Sequence, residues 1–330
     1  MMSEAGRTPE ATPVLSVVIC THNPRADYLQ RTLAALQAQT MPAREWELLL
    51  VDNASDSRLA ETWDISWHPR GRHVREERLG LTLARLRGIA EATGDLLVFA
   101  DDDNVLAPNY LLEAITIRRQ YPHIAVFGAA HLDPDFEIAP PAELHPYLSL
   151  LTLRTVHSAR WSNNAMDFDS IPWGAGLCVS RSLAERYGPF LERLDVTASL
   201  GRKGKSLFSN EDDVFSWLAI ATGSGFGIFP ELRLTHLIAA TRLNRAHFLR
   251  LIRDHAFSGC LLHYRLMGIQ PRRIDWTRYL RLALRGLRRG SFAMRCRWAE
   301  CEGEARAARF IDEQRLQPIT PRLQAQVSGA

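Results

Sequence analysis

Leu15-Ser-Val-Val-Ile-Cys20 is a short, β-branched apolar run, the pattern of a strand covered on both faces. It stops at Thr21-His22-Asn23-Pro24, which has the composition of a loop. Leu29, Leu33 and Leu36 then recur at helical spacing over Tyr28 to Gln39, and Glu47 to Val51 supplies a second buried strand ending at Asp52-Asn53. The same alternation continues. A helix is expected over Leu79 to Ala92, a strand over Leu96 to Ala100, a helix over Pro108 to Tyr121 and a strand over Ala125 to Gly128. This order predicts an α/β fold with a mostly parallel central sheet, helices on both faces, and ligands outside the carboxyl ends of the strands.

From Leu132 to about Asp169 the periodicity lapses among Pro134, Pro140, Pro141 and Pro146, and Leu144 to Thr152 alone has the makings of a short helix. Regular patterning returns with the strand Leu177 to Val179, a helix over Ser182 to Tyr187, a helix over Glu211 to Ala221 and a strand over Gly227 to Leu237. From Ala246 onward the spacing of Phe248, Leu249, Ile252, Phe257 and Leu261 is helical. Three regions are therefore expected: a leader over 1–13, a main α/β domain over 14–240, and a helical C-terminal extension over 241–330. No internal repeat is visible.

Composition narrows the classes. With 330 residues, 46% of them hydrophobic, the chain can bury a large core. A formal net charge of +3, without Lys/Arg blocks carrying interleaved aromatics, argues against nucleic acid as a partner. Five cysteines without a Cys-x-x-Cys pair suggest neither a disulfide framework nor a zinc site, which fits a reducing compartment. The first 13 residues lack a signal-peptide core, and no apolar stretch reaches the roughly 18 residues that span a bilayer. The expected location is cytoplasmic. The arginine-rich segment from Arg272 to Arg297 is a candidate contact with an anionic membrane surface, and helical packing on the main domain is its alternative.

The most informative residues are Asp101-Asp102-Asp103, directly after a buried strand. If the chain stays extended, Asp101 and Asp103 project to one side and Asp102 to the other. Paired carboxylates at a strand end suit a hard cation, Mg²⁺ or Mn²⁺, with open positions for substrate phosphates. The alternative is a solvated acidic turn. At the two earlier strand ends, Thr21 can donate a hydrogen bond to a nucleobase and Asp52 can accept one, although Asp also favours turns. The loop Gly201-Arg202-Lys203-Gly204-Lys205 offers three cations among glycines, suited to a lid over phosphates or to a solvated turn.

With Thr21-His22-Asn23, Val51-Asp52-Asn53-Ala54-Ser55-Asp56, Ala84-Arg85-Leu86-Arg87-Gly88, Asp101-Asp102-Asp103 and Glu211-Asp212 in this order, the chain resembles the family 2 inverting glycosyltransferases of the GT-A fold, over roughly Leu15 to Leu237. Leu86 stands where that family commonly has Asn. The resemblance implies that Thr21 and Asp52 hold the base and that Arg85 lies near the phosphates. It puts Asp101 and its neighbour Asp102 on the donor, and Asp103, joined by His236, on the metal. It makes Asp212 the catalytic base, and sets Trp173-Gly174 with Glu211 on the acceptor side. A nucleotide sugar, with UDP or GDP as the nucleotide, would be the donor and a glycan or lipid-linked saccharide the acceptor. Helix capping at Ser209-Asn210-Glu211-Asp212 is the competing account of that acidic pair. Two rival classes are a haloacid-dehalogenase-like phosphatase using Asp101 and Asp103, and a non-catalytic nucleotide-sugar binding module.

Overall fold

The structure is a computed structural model that describes residues 13–164, 166–194, 210, 212–272, 277 and 291–319. Arg202, Lys203, Lys205 and Glu211 lie outside the described residues, as do residues 1–12 of the leader and most of the arginine-rich segment.

The first half alternates as its apolar runs predict: β1 (Leu15–Thr21), α1 (Ala26–Gln37), β2 (Trp46–Asn53), β3 (Gly71–Glu76), α2 (Leu81–Glu91), β4 (Leu96–Ala100), β5 (Asn104–Leu106) and α3 (Tyr110–Gln120). β6 (Ile124–Phe136) is far longer than the four apolar residues that announce it: it stays buried through Leu132, and only Asp133, Pro134 and Asp135 are exposed. The irregular segment that follows holds a 3₁₀ stretch over Ala142–Leu151 and the short strands β7 (Arg154–Thr155) and β8 (Arg160–Ser162). Then come β9 (Leu177–Ser180), α4 (Tyr187–Leu194), α5 (Asp213–Ala221), β10 (Gly225–Ile238), α6 (Arg245–Met267) and α7 (Ser291–Glu313).

Among the described residues the sheet order is β3-β2-β1-β4-β9-β6-β10-β5, with β7 beside β6 and β8 beside β10. The parallel expectation holds for β3, β2, β1 and β4, and again for β6 with β10. β9 runs antiparallel between β4 and β6. β1, β2 and β4 are buried at every position, as strands covered on both faces must be. α2 comes close enough to β1 that a Cβ on Gly88 would lie 2.4 Å from Val18 Cγ1, so glycine is required for that approach.

The C-terminal helices are packed into the main core. Phe257, Leu261 and Leu262 of α6, with Ala307 and Ile311 of α7, share one buried cluster with Val18, Leu49, Phe99 and Phe215 of the α/β part. A second contact joins Phe248 and Leu251 to Leu144 and Leu151 of the 3₁₀ stretch. This places α6 along the wall of the cleft at the carboxyl ends of β1 and β4. Among the described residues, no helix is long and apolar enough to cross a membrane.

Candidate active site

A cavity of about 510 Å³ opens at those strand ends. Its lining includes Cys20 and Thr21 from β1, His22 just past that strand, Asn53 from β2 and Arg85 from α2. Asp101, Asp102, Asp103 and His236 line it as well, and so do Trp173, Gly174, Asp212 and Asp213. Asp52 does not line it.

The three aspartates depart from the alternation expected of an extended chain. β4 ends at Ala100, and the Asn104 N–H donates to the Asp101 carbonyl at 3.1 Å, closing a turn that brings all three carboxylates to the cleft. Fully buried Asn104 holds the turn, accepting from the Asp101 N–H at 3.1 Å and donating to Asp103 Oδ1 at 3.0 Å. Thr21 Oγ1 donates to Asp102 Oδ2, so the threonine expected at the base ties β1 to the acidic turn. The Leu237 N–H donates to the Asp103 carbonyl at 2.9 Å and fixes the turn to β10.

Asp52 is committed to its own loop. Its carboxylate accepts from the Ser55 N–H at 3.0 Å, the Leu59 N–H at 3.1 Å and Arg75 Nη1 at 2.6 Å. Burial alone would raise its pKa, but the hydrogen bonds from Ser55, Leu59 and Arg75 outweigh that and hold the carboxyl below its usual value. The next residue, Asn53, faces the cleft. Its carbonyl accepts from His22 Nδ1 at 2.9 Å; a carbonyl can only accept, so Nδ1 carries a proton, and Nε2 accepts from Asn23 Nδ2 at 3.3 Å.

Asp212 enters the lining from the start of α5. α5 is locked into the core by Phe215, which stacks on Tyr187 at 3.9 Å between ring centroids and lies 5.9 Å from Phe99. Asp212 sits at the helix N-cap, Oδ1 accepting from the Asp213 N–H at 3.2 Å. Oδ2 accepts from the Gly174 N–H at 2.6 Å. Capping and cleft exposure therefore coexist in one side chain, and spare lone pairs remain on both oxygens. Buried Arg85 lies with its guanidinium over Phe99 at 5.6 Å and reaches Gly174. Trp173 is covered by Arg154, 3.9 Å from the ring centroid. Burial lowers the Arg154 pKa to about 10, and the charges of Asp212 and Asp213 oppose that fall.

Residues 16–162 match the family described as Glycosyl transferase family 2. The chain carries a family 2 glycosyl transferase domain. Glycosyltransferase AglE of Haloferax volcanii is 32% identical over 94 residues, 28% of this chain and 31% of that protein. Validoxylamine A glucosyltransferase of Streptomyces hygroscopicus subsp. jinggangensis is 32% identical over 184 residues, 49% of this chain and 42% of that protein. The chain thus spans less than half the length of these curated relatives. Mannosyltransferase PcManGT from Pyrobaculum calidifontis, solved in complex with GDP-Man and Mn²⁺, superposes with a TM-score of 0.53 at 16% identity, covering 95% of this chain and 91% of that one. That likeness is one of fold, and the fold is GT-A.

Within the family 2 domain and the elements packed on it, the structure also gathers residues that the motifs do not announce. Arg242 Nη1 lies 3.4 Å from Asp103 Oδ2 and 3.2 Å from His236 Nε2. Its only sequence signal is an arginine six positions beyond the histidine. His255 on α6 faces the cleft, where surrounding protein lowers its pKa by desolvation, partly offset by the charge of Asp212. Ser149 and Thr152 complete that wall from a segment whose pattern reads only as an excursion.

Proposed function

We propose that the chain is an inverting glycosyltransferase that moves a sugar from a nucleoside diphosphate to an acceptor hydroxyl. The observation that carries this reading is a single cavity whose lining includes both Asp101 to Asp103 with His236 and Asp212. One pole suits a charged donor; the other presents a carboxylate to an incoming alcohol.

A divalent cation at Asp103 and His236 fits the donor atoms present. Asp103 Oδ2 and His236 Nε2 are 3.3 Å apart. Neighbouring ligands on an octahedral ion with bonds of about 2.1 Å stand roughly 3 Å apart. A mixed carboxylate and imidazole pair suits Mn²⁺. When bound, such an ion supplies positive charge to the departing diphosphate.

The remaining chemistry falls to the chain's own side chains. Asp212 takes the proton from the acceptor hydroxyl, held in aim by the Gly174 N–H on Oδ2. As that proton leaves, the acceptor oxygen forms a bond to the anomeric carbon and the bond from that carbon to the diphosphate oxygen breaks, inverting the centre. Arg85, buried against Phe99, is positioned to attract the phosphates. His22 and Asn53 border the space for the base, and Trp173 offers a ring to the acceptor sugar. The mannosyltransferase of the same fold is described with GDP-Man and Mn²⁺, ligands of the classes this reading requires. The acceptor is assigned to glycans or lipid-linked saccharides.

A thermal-shift panel of UDP- and GDP-sugars with Mn²⁺, followed by NMR of the product of the stabilising donor, tests this. Stabilisation by one donor class and a product of inverted anomeric configuration are expected. A retained configuration would remove Asp212 from its role, and stabilisation without turnover on any acceptor would favour a binding module.

A further inference from the structure

Arg242 Nη1, His236 Nε2 and Asp103 Oδ2 form a nearly equilateral triangle with sides of 3.2, 3.3 and 3.4 Å. The guanidinium nitrogen can only donate, so the other two atoms present acceptors to it. Two acceptors converging on one cationic nitrogen make a cation site with a cation already in it. The site is largely enclosed: the side chains of Arg242, Asp103 and His236 are 17%, 19% and 6% exposed. It is also anchored. The Leu237 N–H holds the Asp103 carbonyl, and the Arg242 N–H donates to the Ala239 carbonyl at 2.9 Å in the turn that leads from β10 into α6.

We infer that Arg242 is an exchangeable counterion: its guanidinium neutralises Asp103 until a divalent cation displaces it, and then turns to the donor diphosphate. This rests on the reading of Asp103 and His236 as the metal site. The chemistry favours the exchange on both sides. A divalent ion and a guanidinium cannot share one oxygen at this spacing without strong repulsion. A released guanidinium finds in a diphosphate the paired oxygens its fork matches best. The consequence is coupling: the nucleotide gives the displaced arginine a partner, so the metal binds more readily when the nucleotide is present.

Calorimetry on the full chain tests this with Mn²⁺ alone, then with UDP or GDP at saturating Mn²⁺, comparing wild type, Arg242→Gln and Asp103→Ala. Arg242→Gln should bind Mn²⁺ alone roughly tenfold more tightly, because a charge-assisted competitor is gone, and should bind the nucleoside diphosphate roughly tenfold more weakly. Mn²⁺ affinity that is unchanged or weaker in Arg242→Gln, while Asp103→Ala abolishes binding, would overturn the exchange and leave the metal site standing. No Mn²⁺ binding by wild type, with or without nucleotide, would overturn both. In the wild type, the Arg242 side-chain ¹⁵N resonances should move when Mg²⁺ is added, and a static signal under saturating Mg²⁺ would refute displacement without recourse to a variant.

Discussion

Replacing Gly174 by alanine tests whether Arg85 and Asp212 are held in register by one close contact. A Cβ at this position would stand 2.7 Å from Arg85 Nη2 and 3.1 Å from Asp212 Oδ2. The backbone at Gly174 is not left-handed, so any penalty arises from contact alone. Arg85 would ordinarily swing aside, but it is 2% exposed and packed over Phe99, and Asp212 is fixed by the rigid start of α5. Overpacking of this kind costs about 1 to 3 kcal/mol. The neighbours that must give are the proposed base and Arg85, so the loss should appear at the site. A displacement of several tenths of an ångström at a base lowers kcat by about ten- to a hundredfold. Steady-state kinetics beside thermal unfolding measures this, with a Tm only a few degrees lower. Wild-type kcat with wild-type Tm would show that Arg85 and Asp212 are not packed as described.

Two further predictions concern the buried groups Asp52, near the end of β2, and His68, just before β3. Asp52 is a buried acid with a depressed pKa, so its stabilisation is fully present above the unfolded value near 3.9 and is lost as pH falls through the lower folded value; Asp52→Asn should lower stability at pH 7 and flatten the acid limb of a denaturation series, and an unchanged midpoint would refute its role. His68 has its pKa lowered to about 4 by burial and by Arg70, with Glu47 opposing, and its Nδ1 accepts from the Arg70 N–H at 3.1 Å. The folded state then binds fewer protons than the unfolded one, so stability should fall as pH drops from about 6.5 to 4, by on the order of 3 kcal/mol. Because His255 contributes in the same direction, His68→Phe should make that slope shallower in urea titrations, and an unchanged slope would place it elsewhere.

The strands around the cleft were legible because burial on both faces leaves an unbroken apolar run, as in Leu48 to Val51 and Leu96 to Ala100. β3 was not, because Gly71-Arg-His-Val-Arg-Glu76 is an edge strand whose arginines are spent on Glu47 and Asp52. Asp101 to Asp103 could be singled out by composition, but their turn depends on Asn104 and on β10, over 130 residues away. Asp52 looked the same as a ligand or as a loop brace, since both uses place an acceptor at a strand end. The contacts that define the site, Asp212 with Gly174 and Arg242 with Asp103, join residues 38 and 139 positions apart and carry no local pattern.

The central claim is a division of labour across one cleft, and paired calorimetry and turnover on Asp103→Ala and Asp212→Asn measure it directly. Asp103→Ala should lose Mn²⁺-dependent binding of the nucleoside diphosphate. Asp212→Asn should keep that binding within about threefold while transfer falls by about a thousandfold or more. Undiminished transfer by Asp212→Asn, or metal-dependent donor binding that survives Asp103→Ala, would contradict the account.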